Sequence, residues 1–182
     1  PSTAADIFRA ATGLANSVGL AAEARRARAG LGESLVGIGE VEQGTAILRR
    51  VMREAAGRCG DRSALASAAI GLSRAMAVRE LAEDAMRYAE LAAADAVDPV
   101  VAVRAQLATA EAQMMTGQFR HAARTFQAAG HGALDAGHGL LRARADTRLV
   151  DLELIHGMRT DGLVVERPTA MQEPEPSRDT AA

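Results

Sequence analysis

The sequence contains no tryptophan, one tyrosine and three phenylalanines in 182 residues. A core so poor in aromatics must be assembled from Ala, Leu, Val, Ile and Met. Ala is the strongest helix former and lets helices approach closely, so the expected class is all-α. Lysine is also missing, and all 21 basic residues are arginine. GC-rich codon usage explains that bias before any chemistry does. The formal charge is only -2, without the basic excess of a dedicated nucleic-acid binder, so direct nucleic-acid binding is not expected. A lone cysteine, Cys59, excludes an internal disulfide and points to a reducing compartment, the cytoplasm. There is no long apolar run and no apolar segment near the N-terminus. Neither a membrane span nor a signal peptide is expected. The length suits one domain with a core of its own.

What the chain does have is a recurring helical pattern. The stretch from Gly117 to Ala129 reads as a tight turn followed by a helix. On that helix Ala122, Phe126 and Ala129 lie at i, i+4 and i+7 and share one face. Small residues there allow close helix approach, and the bulky one acts as a wedge. The same trio recurs as Ala4, Phe8 and Ala11; Gly44, Leu48 and Val51; and Ala82, Met86 and Ala89. The first members are 40, 38 and 40 residues apart, and the turn residues Gly39, Ala77, Gly117 and Gly157 keep those steps.

Eight helices are expected, over 3–18, 21–38, 41–58, 62–77, 79–96, 98–116, 119–136 and 139–157. Ser2 or Thr3, Asp61 and Asp98 supply N-caps, and Pro99 occupies the first turn after Asp98. Residues 158–182 hold Pro168, Pro174 and Pro176 among scattered charges and are expected to be a disordered tail. A two-helix repeat of about 40 residues signals an α-solenoid, in which each hairpin buries its faces against its neighbours. The competing reading is a closed antiparallel bundle in which the spacing is coincidence.

The motif Leu31-Gly32-x-x-Leu35, then Gly39, then Gly44-x3-Leu48, resembles a tetratricopeptide (TPR) unit. Gly117, Ala122-x3-Phe126 and Ala129 resemble the second half of another. The period, longer than the common TPR one, resembles that of repeats in large bacterial regulators of the LuxR and STAND types, including actinobacterial ones. The first helix matches the second half of a unit and the last matches the first half. Two readings follow: half-repeat caps, or a segment of a longer solenoid.

The resemblance implies a concave groove lined by the first helix of each hairpin. It places Arg26, Glu33, Ser67, Arg74, Arg104, Glu111, Met114, Arg144 and Asp151 there, with Leu107 and Met115 as further apolar contacts. Spacing alone sets Arg104, Leu107, Glu111 and Met114 on one side of the sixth helix. The expected function is non-catalytic: a scaffold for a protein or peptide, acidic if the arginines bind it, in the regulatory or assembly region of a bacterial regulator. Bidentate arginine suits a carboxylate-bearing peptide. The bland alternative is that these arginines pair with Glu33, Glu111 and Asp151 and merely solvate the face.

The acidic stretch Glu173-Pro174-Glu175-Pro176 could itself lie in such a groove. Two further readings stay open. One is homodimerisation by stacking of the solenoid ends, near Phe8 and Leu149. The other is a small-molecule or metal sensor, or an enzyme, using His131, His138 and Asp135 on the seventh helix. No nucleophile or phosphate-loop motif supports catalysis, so no cofactor and no resident metal are expected.

Overall fold

The computed structural model describes residues 3–57 and 60–156. Cys59, and the segment 158–182 expected as a disordered tail, lie outside them. The described residues form eight helices and no strand: α1 (Ala4–Ser17), α2 (Ala21–Gly37), α3 (Val41–Ala56), α4 (Arg62–Val78), α5 (Ala82–Asp95), α6 (Pro99–Met115), α7 (Phe119–Asp135) and α8 (Gly139–His156).

Local chemistry sets the starts. Thr3 and Asp6 form a reciprocal capping box on α1. Asp61 accepts from the Ala64 N–H at 3.1 Å. Asp98 accepts from the Val100 and Val101 N–H groups, with Pro99 beside it as the first helical residue.

Five helix ends share one device. After α1 the Leu20 N–H donates to the Ala15 carbonyl and the Gly19 N–H to that of Asn16. The same pair of bonds closes α2, α4, α6 and α7. This motif needs a left-handed residue just past the helix. Gly19, Gly39, Gly117 and Gly137 occupy that place with φ between 65° and 92°, but after α4 it is Glu80, at φ 60°. The turn residue is therefore Glu80 and not Ala77, because α4 runs on to Val78. A left-handed Glu is strained by its Cβ. Glu80→Gly should raise stability by about 1 kcal/mol, read as a higher melting temperature; an unchanged melt would show that Glu80 holds this conformation without strain.

The layers follow from which helices touch. Every helix contacts its sequence neighbours. Beyond that, α2 lies against α4, α4 against α6, and α6 meets α8 at a few residues; α1, α3, α5 and α7 do not touch one another. The even-numbered helices are thus an inner layer and the odd-numbered ones an outer layer. Since α1 meets only α2, and α8 only α6 and α7, the helices form an open solenoid-like stack, which removes the closed-bundle reading.

Small residues set the crossings. A Cβ on Gly44 would lie 2.6 Å from the Gly32 carbonyl oxygen, so α2 and α3 meet backbone to backbone. One hairpin on, buried Ser73 donates its Oγ proton to the Ala85 carbonyl at 2.8 Å, again twelve residues apart. In the next, Ala110 and Ala122 are both fully buried. Leu48 is the wedge of the first hairpin: Cβ atoms on Gly32 and Gly71 would each fall 2.7 Å from its side chain. Phe126 fills the corresponding place on α7 and is fully buried.

The trio on α5 is shifted from its expected register. The buried residues are Ala85, Ala89 and Ala92, three positions beyond Ala82, Met86 and Ala89. Helix α5 starts two residues after its left-handed turn residue, as α3 and α7 do, so Glu80 moves the whole frame. On α1, Ala4 and Ala11 are exposed and Phe8 is half-buried.

Candidate binding cleft

The inner helices bring their polar positions together along one seam. On α2, Glu33 points towards two arginines from different helices. Arg74 of α4 donates to its Oε1 at 2.7 Å, and Arg104 of α6, 71 residues away in sequence, donates to its Oε2. Burial works to raise the Glu33 pKa, but the Arg104 and Arg74 guanidinium groups outweigh it and hold the carboxyl below its ordinary value. Glu33 therefore stays ionised and ties three inner helices together.

A second group lies further along. Arg144 of α8 donates to Glu111 of α6 at 2.7 Å. Arg148, one helical turn on, sits 3.7 Å from the same carboxylate oxygen and 3.3 Å from Asp151. Between the two groups opens a cleft of about 370 Å³. Arg74, Glu111, Arg144 and Arg148 supply its charged wall; Val36, Gly37, Ala77 and Val78 supply its apolar wall. The α2 and α4 residues lie within one turn on each helix, so the apolar wall is a consequence of helical register.

The seam carries four arginines against three carboxylates. Glu111 is shared by Arg144 and Arg148, whose side chains are 35% and 44% exposed. Arg148 also bonds Asp151, but at these exposures both guanidinium groups keep N–H donors within reach of water, and those donors can take a further carboxylate. The apolar wall opposite can cover an aliphatic side chain next to that group.

Several expected groove residues lie elsewhere or serve other ends. Leu107 is buried in the core beneath α7, among Val103, Ala110 and Phe126, and is not available to a partner. Met114 is half-buried against the same cluster, while Met115 is at the surface. Arg26 is exposed, pairs with Glu23 of its own helix, and lines no part of the cleft. Ser67 is half-buried on α4 and also stands outside the cleft. Glu33, Arg74, Arg104, Glu111, Arg144 and Asp151 are brought into one seam, but as internal ion pairs, which is the bland alternative stated above. Arg148 was not singled out by sequence, although its place four residues after Arg144 puts it on the same face.

The histidines do not form one set. Helix α7 ends at Asp135, so His138 lies beyond its cap and shares no continuous face with His131. His131 and Asp135 are exposed, and His138 is half-buried. Leu149, expected near a solenoid end, does lie on the terminal helix α8, but its side chain is buried in the cluster around Phe126. No helix among the described residues is long and apolar enough to cross a membrane. No protein-family model matches this chain. No curated protein matches it either.

Proposed function

We propose that this chain is a non-catalytic, TPR-like scaffold that holds an extended, carboxylate-bearing peptide in its inner cleft. Its wider role in this reading is the regulatory or assembly region of a bacterial regulator, as the repeat period suggests. The observation that carries the reading is the partly exposed pair Arg144 and Arg148, held by Glu111 and, for Arg148, also by Asp151, beside the apolar wall of Val36, Ala77 and Val78. Such a wall and such a charge fit an acidic residue followed by an aliphatic one.

The test uses a labelled peptide of alternating Glu and Leu, with a Gln-for-Glu analogue as control, in fluorescence polarisation. The Glu peptide should bind, and its affinity should fall with added salt. Arg148→Glu should weaken it about tenfold, the equivalent of one charge-assisted contact. Equal binding of both peptides, or full affinity in Arg148→Glu, would remove the carboxylate from the reading.

A further inference from the structure

The two ends of the stack carry faces that elsewhere in the molecule are covered. On α8, Leu140, Ala143, Thr147, Val150 and Leu154 form one exposed stripe, with Leu140 82% and Leu154 79% exposed. Helices α6 and α8 begin 40 residues apart, at Pro99 and Gly139. That step sets the stripe on Val100, Val103, Leu107, Ala110 and Met114, of which the last four belong to the face by which α6 holds α7. Helix α8 thus repeats a hairpin face with no outer helix on it among the described residues.

Helix α1 is the converse. The left-handed residues Gly19 and Gly137 are 118 residues apart, and the same offset sets Phe8 on Phe126 and Ala11 on Ala129. On α7 these positions are buried against inner helices. On α1 they have only α2 beside them, and Ile7, Leu14 and Val18 stand out, Leu14 being 67% exposed. Size is also complementary. The Leu14 position on α7 is Gly132, whose Cβ, if it had one, would lie 3.1 Å from Val103. The α8 counterpart of Val103 is Ala143. Where α7 sets nothing against Val, α1 would set Leu against Ala.

Charge points the same way. Between successive inner helices, Arg144 of α8 pairs with Glu111 of α6 at 2.7 Å. One repeat on, Glu111 becomes Asp151; the offset of 118 makes Arg26 of α2 the counterpart of Arg144. Arg26 is half exposed, and its ion pair is with Glu23 of its own helix turn. The two ends therefore present opposite charges at the positions that would meet.

We infer that copies of this chain stack head to tail: α1 of one copy lies on the α8 stripe of the next, and Arg26 meets Asp151 of that neighbour, so the repeat continues across the junction. The contact is heterologous, which gives open chains and not a closed dimer. It rests on the apolar stack ends; within one copy Asp151 pairs with Arg148 of the cleft wall at 3.3 Å, so in the stacked chain it is shared between Arg148 and Arg26 of the neighbour.

The experiment is sedimentation velocity on the full chain from micromolar to millimolar concentration. The average mass of the wild type should rise above the 18.9 kDa monomer without stopping at the dimer. Leu14→Arg and Leu154→Arg should each remain monomeric, since each loses one of the two faces. Mixed together they should form a one-to-one pair and nothing larger, because each still offers the face the other lacks. Both side chains are exposed, so the fold should hold; far-UV circular dichroism checks it, and Ile7→Arg with Leu140→Arg is a second pair. A wild type that stays monomeric, a single variant that self-associates like the wild type, or a mixture that stays monomeric would each overturn the inference.

Discussion

Phe126→Ala should cost about 4 kcal/mol, the middle of the range for a buried aromatic, and most of that loss should fall on α6, α7 and α8. Phe126 is the largest fully buried side chain, and it sits in a core otherwise made largely of Ala, Leu and Val. Five of the cluster's buried residues, Ala110, Ala122, Ala129, Ala133 and Ala145, have no atoms that can swing into the space, which leaves Leu107, Leu149 and Leu152 as the buried side chains large enough to relax into it. Three leucines cannot replace a whole ring without leaving their own places, so much of the cavity should stay open. Its effects should be local. One core cluster is built from α2 to α5 with Ala112 of α6; the cluster around Phe126 draws only on α6, α7 and α8. In a stack whose units contact only their neighbours, such a loss opens one end first. Amide exchange in α7 and α8 should speed up about a thousandfold, with α2 to α4 much less affected. Uniform acceleration throughout would mean that the two clusters unfold as one unit. A loss below about 1 kcal/mol would mean that the helices close over the gap.

Glu33→Gln should destabilise the protein by about 3 kcal/mol at neutral pH, because it leaves two guanidinium groups facing each other with no opposite charge between them. Arg74 and Arg104 both bind that one carboxylate, whose side chain is 16% exposed. The effect should depend on pH in a defined direction. Folding lowers the Glu33 pKa from its ordinary value of 4.5, so as pH falls the unfolded chain takes up the proton first. The contribution is complete above the unfolded value and is lost as pH falls through the folded one. The gap in stability between wild type and Glu33→Gln should thus narrow in acid and close once Glu33 is protonated in both states. Urea denaturation across that range measures it. A gap that stayed constant in acid would show that the loss comes from packing and not from charge.

Much of the fold was legible in the sequence because it is carried by local signals. Asp98-Pro99, Thr3 with Asp6, and the glycines at 19, 39, 117 and 137 act within one turn, and they mark helix ends wherever they occur. The error at Ala77 has the same origin. Constant spacing pointed to a small residue there, but Glu80 takes the left-handed position without any glycine to announce it. The bonds that close α4 are satisfied all the same.

The site was less legible. Periodicity set Arg104, Leu107, Glu111 and Met114 on one side of α6, and that is correct as geometry. A helix in the inner layer has neighbours on several sides, so one face is divided between a core and a cleft. Leu107 went to the core under α7, and Glu111 went to the seam with Arg144. Only the positions of α4, α7 and α8 make that division.

The sequence by itself determined an all-helical chain, the places where most helices begin and end, and the small residues at the α2–α3 and α6–α7 crossings, though not at α4–α5. Those features depend on backbone hydrogen bonding and sterics within a few residues, or within one hairpin. Tertiary structure alone decided which arginine meets which carboxylate, that Glu33 meets an arginine 71 residues away in the chain, and that among the described residues α1 and α8 are left with uncovered faces. Ion pairs and exposed stripes depend on distances between elements far apart in sequence, and no local pattern encodes those distances.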